Sequence, residues 1–151
     1  MGAAERQEAL KRLDVLVGEW VVEAEFPGLD VPPGRSVFEW TLDGRFLVQR
    51  TEAPSPAPES MAIIAVDPET GGYTQHYYDS RGVVRLYAMT FADGVWQLLR
   101  ESPDFSPLDF RQRYTGQVGE DGDTIRGAWE IWRDGSDGWQ QDFALSYRRS
   151  R

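Results

Sequence analysis

The chain of 151 residues has no cysteine and one histidine. The first absence excludes disulfides, thiolate metal sites and cysteine nucleophiles, and the second leaves no histidine cluster for zinc. No run of about 18 apolar residues occurs, so no membrane-spanning helix is expected. Residues 1–18 carry charges throughout and lack the apolar centre of a secretory leader. Met1-Gly2 opens no myristoylation motif, because Arg6 stands where Ser or Thr is required. A cytoplasmic location is the expectation. Basic residues are outnumbered, 16 against 25, for a formal net charge of -9. That surface repels phosphate backbones and anionic headgroups, so neither nucleic acid nor a membrane is an expected partner. Phosphate-loop, dinucleotide and nucleophile-elbow patterns are missing as well.

What the chain does have is a rhythm. From Ala4 to Val17 the apolar residues Leu10, Leu13, Leu16 and Val17 fall near one face at helical spacing, and Gly18 ends the pattern. A helix this short must dock on something, and one end of a barrel is the expected place. Beyond Gly18 the period becomes two. Trp20, Val22, Ala24 and Phe26 alternate with Glu19, Val21, Glu23 and Glu25, and Phe38 and Trp40 alternate with Val37 and Glu39. Further strands are expected over 45–52, 61–66, 73–79, 83–91, 95–101, 109–117, 124–133 and 139–147. Asp43-Gly44, Gly71-Gly72, Arg81-Gly82, Asp93-Gly94, Asp121-Gly122 and Asp134-Gly135 supply the turns.

About ten strands joined by short loops favour an all-β, antiparallel up-and-down barrel over a sandwich, because Greek keys need long returns. One domain is expected over 1–151, with the helix at 4–17 and the barrel at 18–148. Residues 53–59 and 102–108 are proline-bearing loops, expected to flank an entrance.

The helix followed by Gly18-Glu19-Trp20 on the first strand resembles the calycins: lipocalins, fatty-acid-binding proteins and the nitrobindin-like ten-stranded barrels. The strand count looks most like the nitrobindin-like group and related bacterial lipocalin-like barrels. The resemblance implies a hydrophobic ligand inside the barrel, with a tryptophan packed across its floor. It also implies haem held by a histidine near the C-terminal strands as an alternative. Residues 109–151 contain no histidine, so any axial ligand falls to His76.

The densest polar-aromatic segment is Tyr73–Ser80. On a strand, His76 and Tyr78 share one face, with Tyr77 and Asp79 on the other. The expectation places His76 and Tyr78 inside, where they could hydrogen-bond a ligand or move a proton; the competing role for His76 is structural. Arg100 shares a face with Trp96 and Leu98, and either clamps a ligand carboxylate or pairs with an internal acid. Arg111 and Arg113 are expected outside. Trp20, Trp40, Trp96 and Trp129 are expected inside, where they line a cavity or fill it completely. Asp121, Asp123, Asp134 and Asp137 match no calcium-loop spacing.

Binding of a small apolar or aromatic molecule is therefore the leading expectation, with Trp40, His76, Tyr78, Tyr87, Trp96, Arg100, Tyr114 and Trp129 as the lining. The alternatives are an isomerase or cyclase using His76 as acid and base, a haem protein, and a filled structural module. No metal site is expected, and the sequence is compatible with a homodimer.

Overall fold

The computed structural model describes residues 1–150. Helix α1 (Ala3–Arg12) continues into a 3-10 turn (Leu13–Leu16), and ten strands follow: β1 (Gly18–Glu25), β2 (Gly34–Thr41), β3 (Phe46–Glu52), β4 (Ser60–Val66), β5 (Tyr73–Asp79), β6 (Val84–Ala92), β7 (Val95–Arg100), β8 (Phe110–Val118), β9 (Thr124–Arg133) and β10 (Gln140–Arg149). Each strand pairs antiparallel with its sequence neighbours, and β1 pairs with β10 to close the barrel. The expected fold class is the observed one, and closure leaves no free sheet edge.

The helix covers one end, as its stripe requires. Leu10, Leu13 and Leu16 are buried against barrel residues such as Ile64, Tyr73 and Met89. Three side-chain bonds fix the lid: the Tyr73 hydroxyl donates to the Ala9 carbonyl at 2.6 Å, Trp20 Nε1 to the Leu16 carbonyl at 2.8 Å, and Trp40 Nε1 to Asp14 Oδ1 at 3.1 Å.

The seam is closed by Arg149. Its guanidinium lies 4.1 Å from the Trp20 ring centroid, donates to the carbonyls of Val15, Val17 and Gly122, and pairs with Asp123 at 3.1 Å. Gly18 stands beside it with φ +125°; a Cβ there would lie 2.8 Å from Arg149 Nη1. Glycine is therefore required by both the backbone and the space.

Alternation fixes which residues face inward. Even-numbered residues of β1, β2, β4, β7 and β8 point inside, as do odd-numbered residues of β3, β5, β6 and β9. This follows from burial of Trp20, Phe38, Ile64, Trp96, Tyr114, Leu47, Gln75, Tyr87 and Ile125. Arg111 and Arg113 lie on the opposite face of β8 from buried Tyr114, as expected.

One expectation is reversed, and a turn is the cause. A two-residue turn at Arg81-Gly82 would set His76 opposite Tyr87 and bring both inside. The observed turn has three residues, Ser80-Arg81-Gly82, with Gly82 at φ +83°. Asp79 Oδ1 accepts the Arg81 N–H at 2.9 Å and holds it. Tyr87 therefore pairs with Gln75, and His76 with Leu86. A slip of one residue turns a whole strand over, so Gln75 and Tyr77 face inward while His76 and Tyr78 face out.

Arg149→Ala is expected to cost about 2–4 kcal/mol, because it removes an ion pair, three carbonyl bonds and a ring contact together. Arg149→Lys should recover less than half, since an ammonium lacks the planar fork. Urea unfolding midpoints measure both.

Candidate functional site

The barrel interior is divided in two. The half beneath the helix is packed solid by Trp20, Phe38, Leu47, Ile64, Met89 and Ile125. The other half encloses a cavity of about 570 Å³. That size lies within the usual range for small-molecule sites.

Trp96 forms the floor of the cavity. Its ring centroid lies 5.3 Å from Tyr114, 5.6 Å from Tyr147 and 5.9 Å from Phe38. Tyr114 and Tyr87 then contact Trp129 at 5.4 and 5.7 Å, which extends the aromatic wall along β6, β8 and β9. Apolar surface and ring faces dominate this wall.

Tyr114 lies in a slot that two glycines open. Gly116 and Gly127 face each other across β8 and β9. A Cβ on Gly127 would stand 2.5 Å from the Tyr114 hydroxyl oxygen, and one on Gly116 would stand 2.9 Å from the ring. The bare backbone lets the ring lie across the sheet and donate to the Leu145 carbonyl at 3.0 Å. Glycine inside a strand signals such close approach.

Polar groups are few and placed. Gln49 Nε2 donates to Ser36 Oγ at 3.0 Å and to the Tyr147 hydroxyl at 3.2 Å. Gln112 Oε1 accepts from the Tyr87 hydroxyl at 3.0 Å and from Arg85 at 3.2 Å. Two buried atoms of cavity-lining residues have no partner among the described residues, Gln75 Oε1 and Trp96 Nε1. Unsatisfied buried polar atoms are uncommon and costly. Burial raises the pKa of Tyr87 and Tyr114, and that of Tyr147 to about 12 despite the opposing Gln49 bond. All three are neutral phenols at physiological pH.

The cavity opens away from the helix. Val31 and Pro32 of the β1–β2 loop line its mouth with Ala53, Pro54, Ala57 and Pro58 of the β3–β4 loop. The first proline loop therefore flanks the entrance as expected. The second, 102–108, supplies no lining residue. It folds back on the wall instead, with Asp104 accepting the Leu86 N–H at 2.9 Å beyond the end of the β6–β7 ladder.

Four of the expected lining residues meet at the cavity: Tyr87, Trp96, Tyr114 and Trp129. The other four do not. Trp40 points inward but lies at the closed end, bonded to Asp14. Arg100 is buried, with its side chain and that of Asp104 each 3% exposed, and it is held by two bonds of 2.9 and 3.0 Å to that carboxylate. An internal acid has claimed it, so it offers nothing to a ligand. His76 and Tyr78 sit on the outer face, and the His76 ring is 6.5 Å from Phe105 of the second proline loop. Among the residues missed were Gln49, Gln75, Tyr77, Arg85 and Gln112, whose polar character disguised an inward position. The register from Tyr87 to Gln75 was the signal that could have found two of them.

Histidine-ligated haem does not fit this arrangement. The chain's one histidine is on the outer face, and the cavity tyrosines are held neutral by burial. Acid–base catalysis in the cavity by His76 fails on the same geometry. Among the described residues, no group of three or more His, Cys, Asp or Glu could hold a metal ion. Asp121 Oδ1 instead accepts the Asp123 N–H within its turn.

No family model matches the chain, and no curated protein matches it. The barrel is similar to the crystal structure of Rv2717c from M. tuberculosis. The TM-score is 0.62 at 18% identity, over 95% of this chain and 98% of the other. At that identity the likeness is one of fold.

Three outcomes follow from the site's supports. The Arg100 guanidinium and the Leu86 and Ser106 amides hold the Asp104 carboxyl well below the usual carboxylate range, against the opposing effect of burial. The stabilisation is complete above the unfolded carboxyl value of about 4 and is lost as pH falls through the lower folded value. Asp104→Asn should therefore flatten the fall of the urea midpoint below pH ~4. Arg100→Ala, which strands a buried carboxylate, is expected to cost about 3–5 kcal/mol at neutral pH. Gly127→Ala should cost about 1–3 kcal/mol by overpacking, read from the same midpoints.

Proposed function

We propose that the protein is a calycin-like carrier that binds one small apolar or aromatic molecule in the open half of its barrel. The observation that carries this is the cavity of about 570 Å³ walled by Tyr87, Trp96, Tyr114 and Trp129. Interiors are ordinarily close-packed, so a void of this size forfeits contacts that a ligand would restore. The lone Gln75 Oε1 and Trp96 Nε1 in its wall add an acceptor and a donor that can orient a guest. A cytoplasmic setting accords with the absence of cysteine.

A filled structural module accounts for the closed half only. An isomerase or cyclase would have to work without a histidine in the cavity.

The test uses N-phenyl-1-naphthylamine, a neutral dye that brightens in apolar surroundings. One dye per chain is expected to bind with blue-shifted emission. Ala62 lies in the cavity wall and is 4% exposed. Ala62→Trp should fill the space and weaken dye binding by about tenfold or more, with circular dichroism unchanged. Undiminished binding to a folded Ala62→Trp, or no binding to the natural chain, overturns the proposal.

A further inference from the structure

The charge around the cavity runs against the charge of the chain. Acidic residues exceed basic ones by nine overall. Among the residues that line the cavity, however, three are arginines, Arg81, Arg85 and Arg133, and one is an acid, Asp142. Arg81 is already neutralised by Asp79 at 2.7 Å. Arg85 and Arg133 have no carboxylate within ion-pair distance among the described residues.

Arg85 is the better placed of these two. It lies on the inward face of β6, two residues from Tyr87 and partly shielded from solvent. Its Nη1 donates to Gln112 Oε1 at 3.2 Å, and its guanidinium carbon lies 5.7 Å from the Phe110 ring centroid. Arg133 lies 5.9 Å from the same ring. Gln112 and Phe110 thus orient the Arg85 fork without discharging it, and most of its five N–H donors remain free. The buried arginine, Arg100, shows the contrast, since it carries its own counter-ion. A shielded guanidinium without a counter-ion forgoes stabilisation that an incoming anion would provide.

We infer that the ligand is an organic anion, a carboxylate whose head sits at Arg85, with Arg133 beside it, and whose apolar body reaches down to Trp96. The order of polarity supports this, with guanidinium groups towards the mouth and aromatic rings at the floor. This headgroup site presupposes the binding role proposed above.

The experiment separates the two. Bound N-phenyl-1-naphthylamine is displaced with biphenyl-4-carboxylate and, in parallel, with biphenyl-4-carboxamide, which has the same shape and no charge. The carboxylate is expected to displace the dye at a concentration about tenfold lower, as a charge-assisted hydrogen bond implies. Arg85→Gln should reduce that preference to about twofold or less by weakening the carboxylate more than the carboxamide, with dye binding remeasured for the variant. Arg133→Gln, at an exposed position, should lower the preference by a smaller factor and serves if Arg85→Gln does not fold. Raising the salt concentration should narrow the preference in the natural chain. Equal potency of the two compounds, or a preference that survives both substitutions, overturns the anionic headgroup and leaves the cavity's binding role standing. Failure of the dye itself to bind removes both.

Discussion

The structure depends on where Arg149 puts its charge. A sheet of ten strands gains a barrel only if its last strand finds its first, and backbone pairing alone does not tie that seam to the helix beneath it. The Arg149 guanidinium does so by stacking on Trp20 and bonding to the carbonyls that end the 3-10 turn. Gly18 supplies the room. First strand, last strand and lid therefore become one unit, and the half of the barrel above them need not be filled to hold together.

That division of labour explains how a chain with six tryptophans still contains a void. Trp20 and Trp40 belong to the closed end, and Trp132 and Trp139 meet edge to face outside at 5.8 Å beneath Arg111 and Arg113. Only Trp96 and Trp129 face the open half, and they form its floor and wall rather than its filling. Several polar residues there are held by one another, as with Gln49 and Tyr147, or by the sheet, as with Tyr114. The cavity is thus lined by groups with fixed directions.

Most of the fold was legible because its cause is local. Alternation over Trp20–Ala24 and Phe38–Trp40, with glycine and aspartate at the turns, yields strands and hairpins with little tertiary help. Half of the site was legible for the same reason, as with Tyr87, Tyr114, Trp96 and Trp129. The rest turned on features that alternation does not carry. One additional residue in the turn after Asp79 reversed β5 and exchanged His76 for Gln75. Arg100 was found inside, but its counter-ion lies four residues on, in a proline loop that was expected to flank the entrance. Arg85 drew no separate reading, because its support, Gln112, lies 27 positions away on another strand.

The spread of indoles through three environments has an optical consequence. One pair sits beneath the lid, one borders the void, and one lies on the outer wall. The near-ultraviolet emission of this chain is accordingly a sum of three signals. Replacing Trp132 and Trp139 would remove the outer contribution without touching either compartment inside. The light that remained would come from the sealed end and from the chamber, and only the chamber's share could respond to a guest.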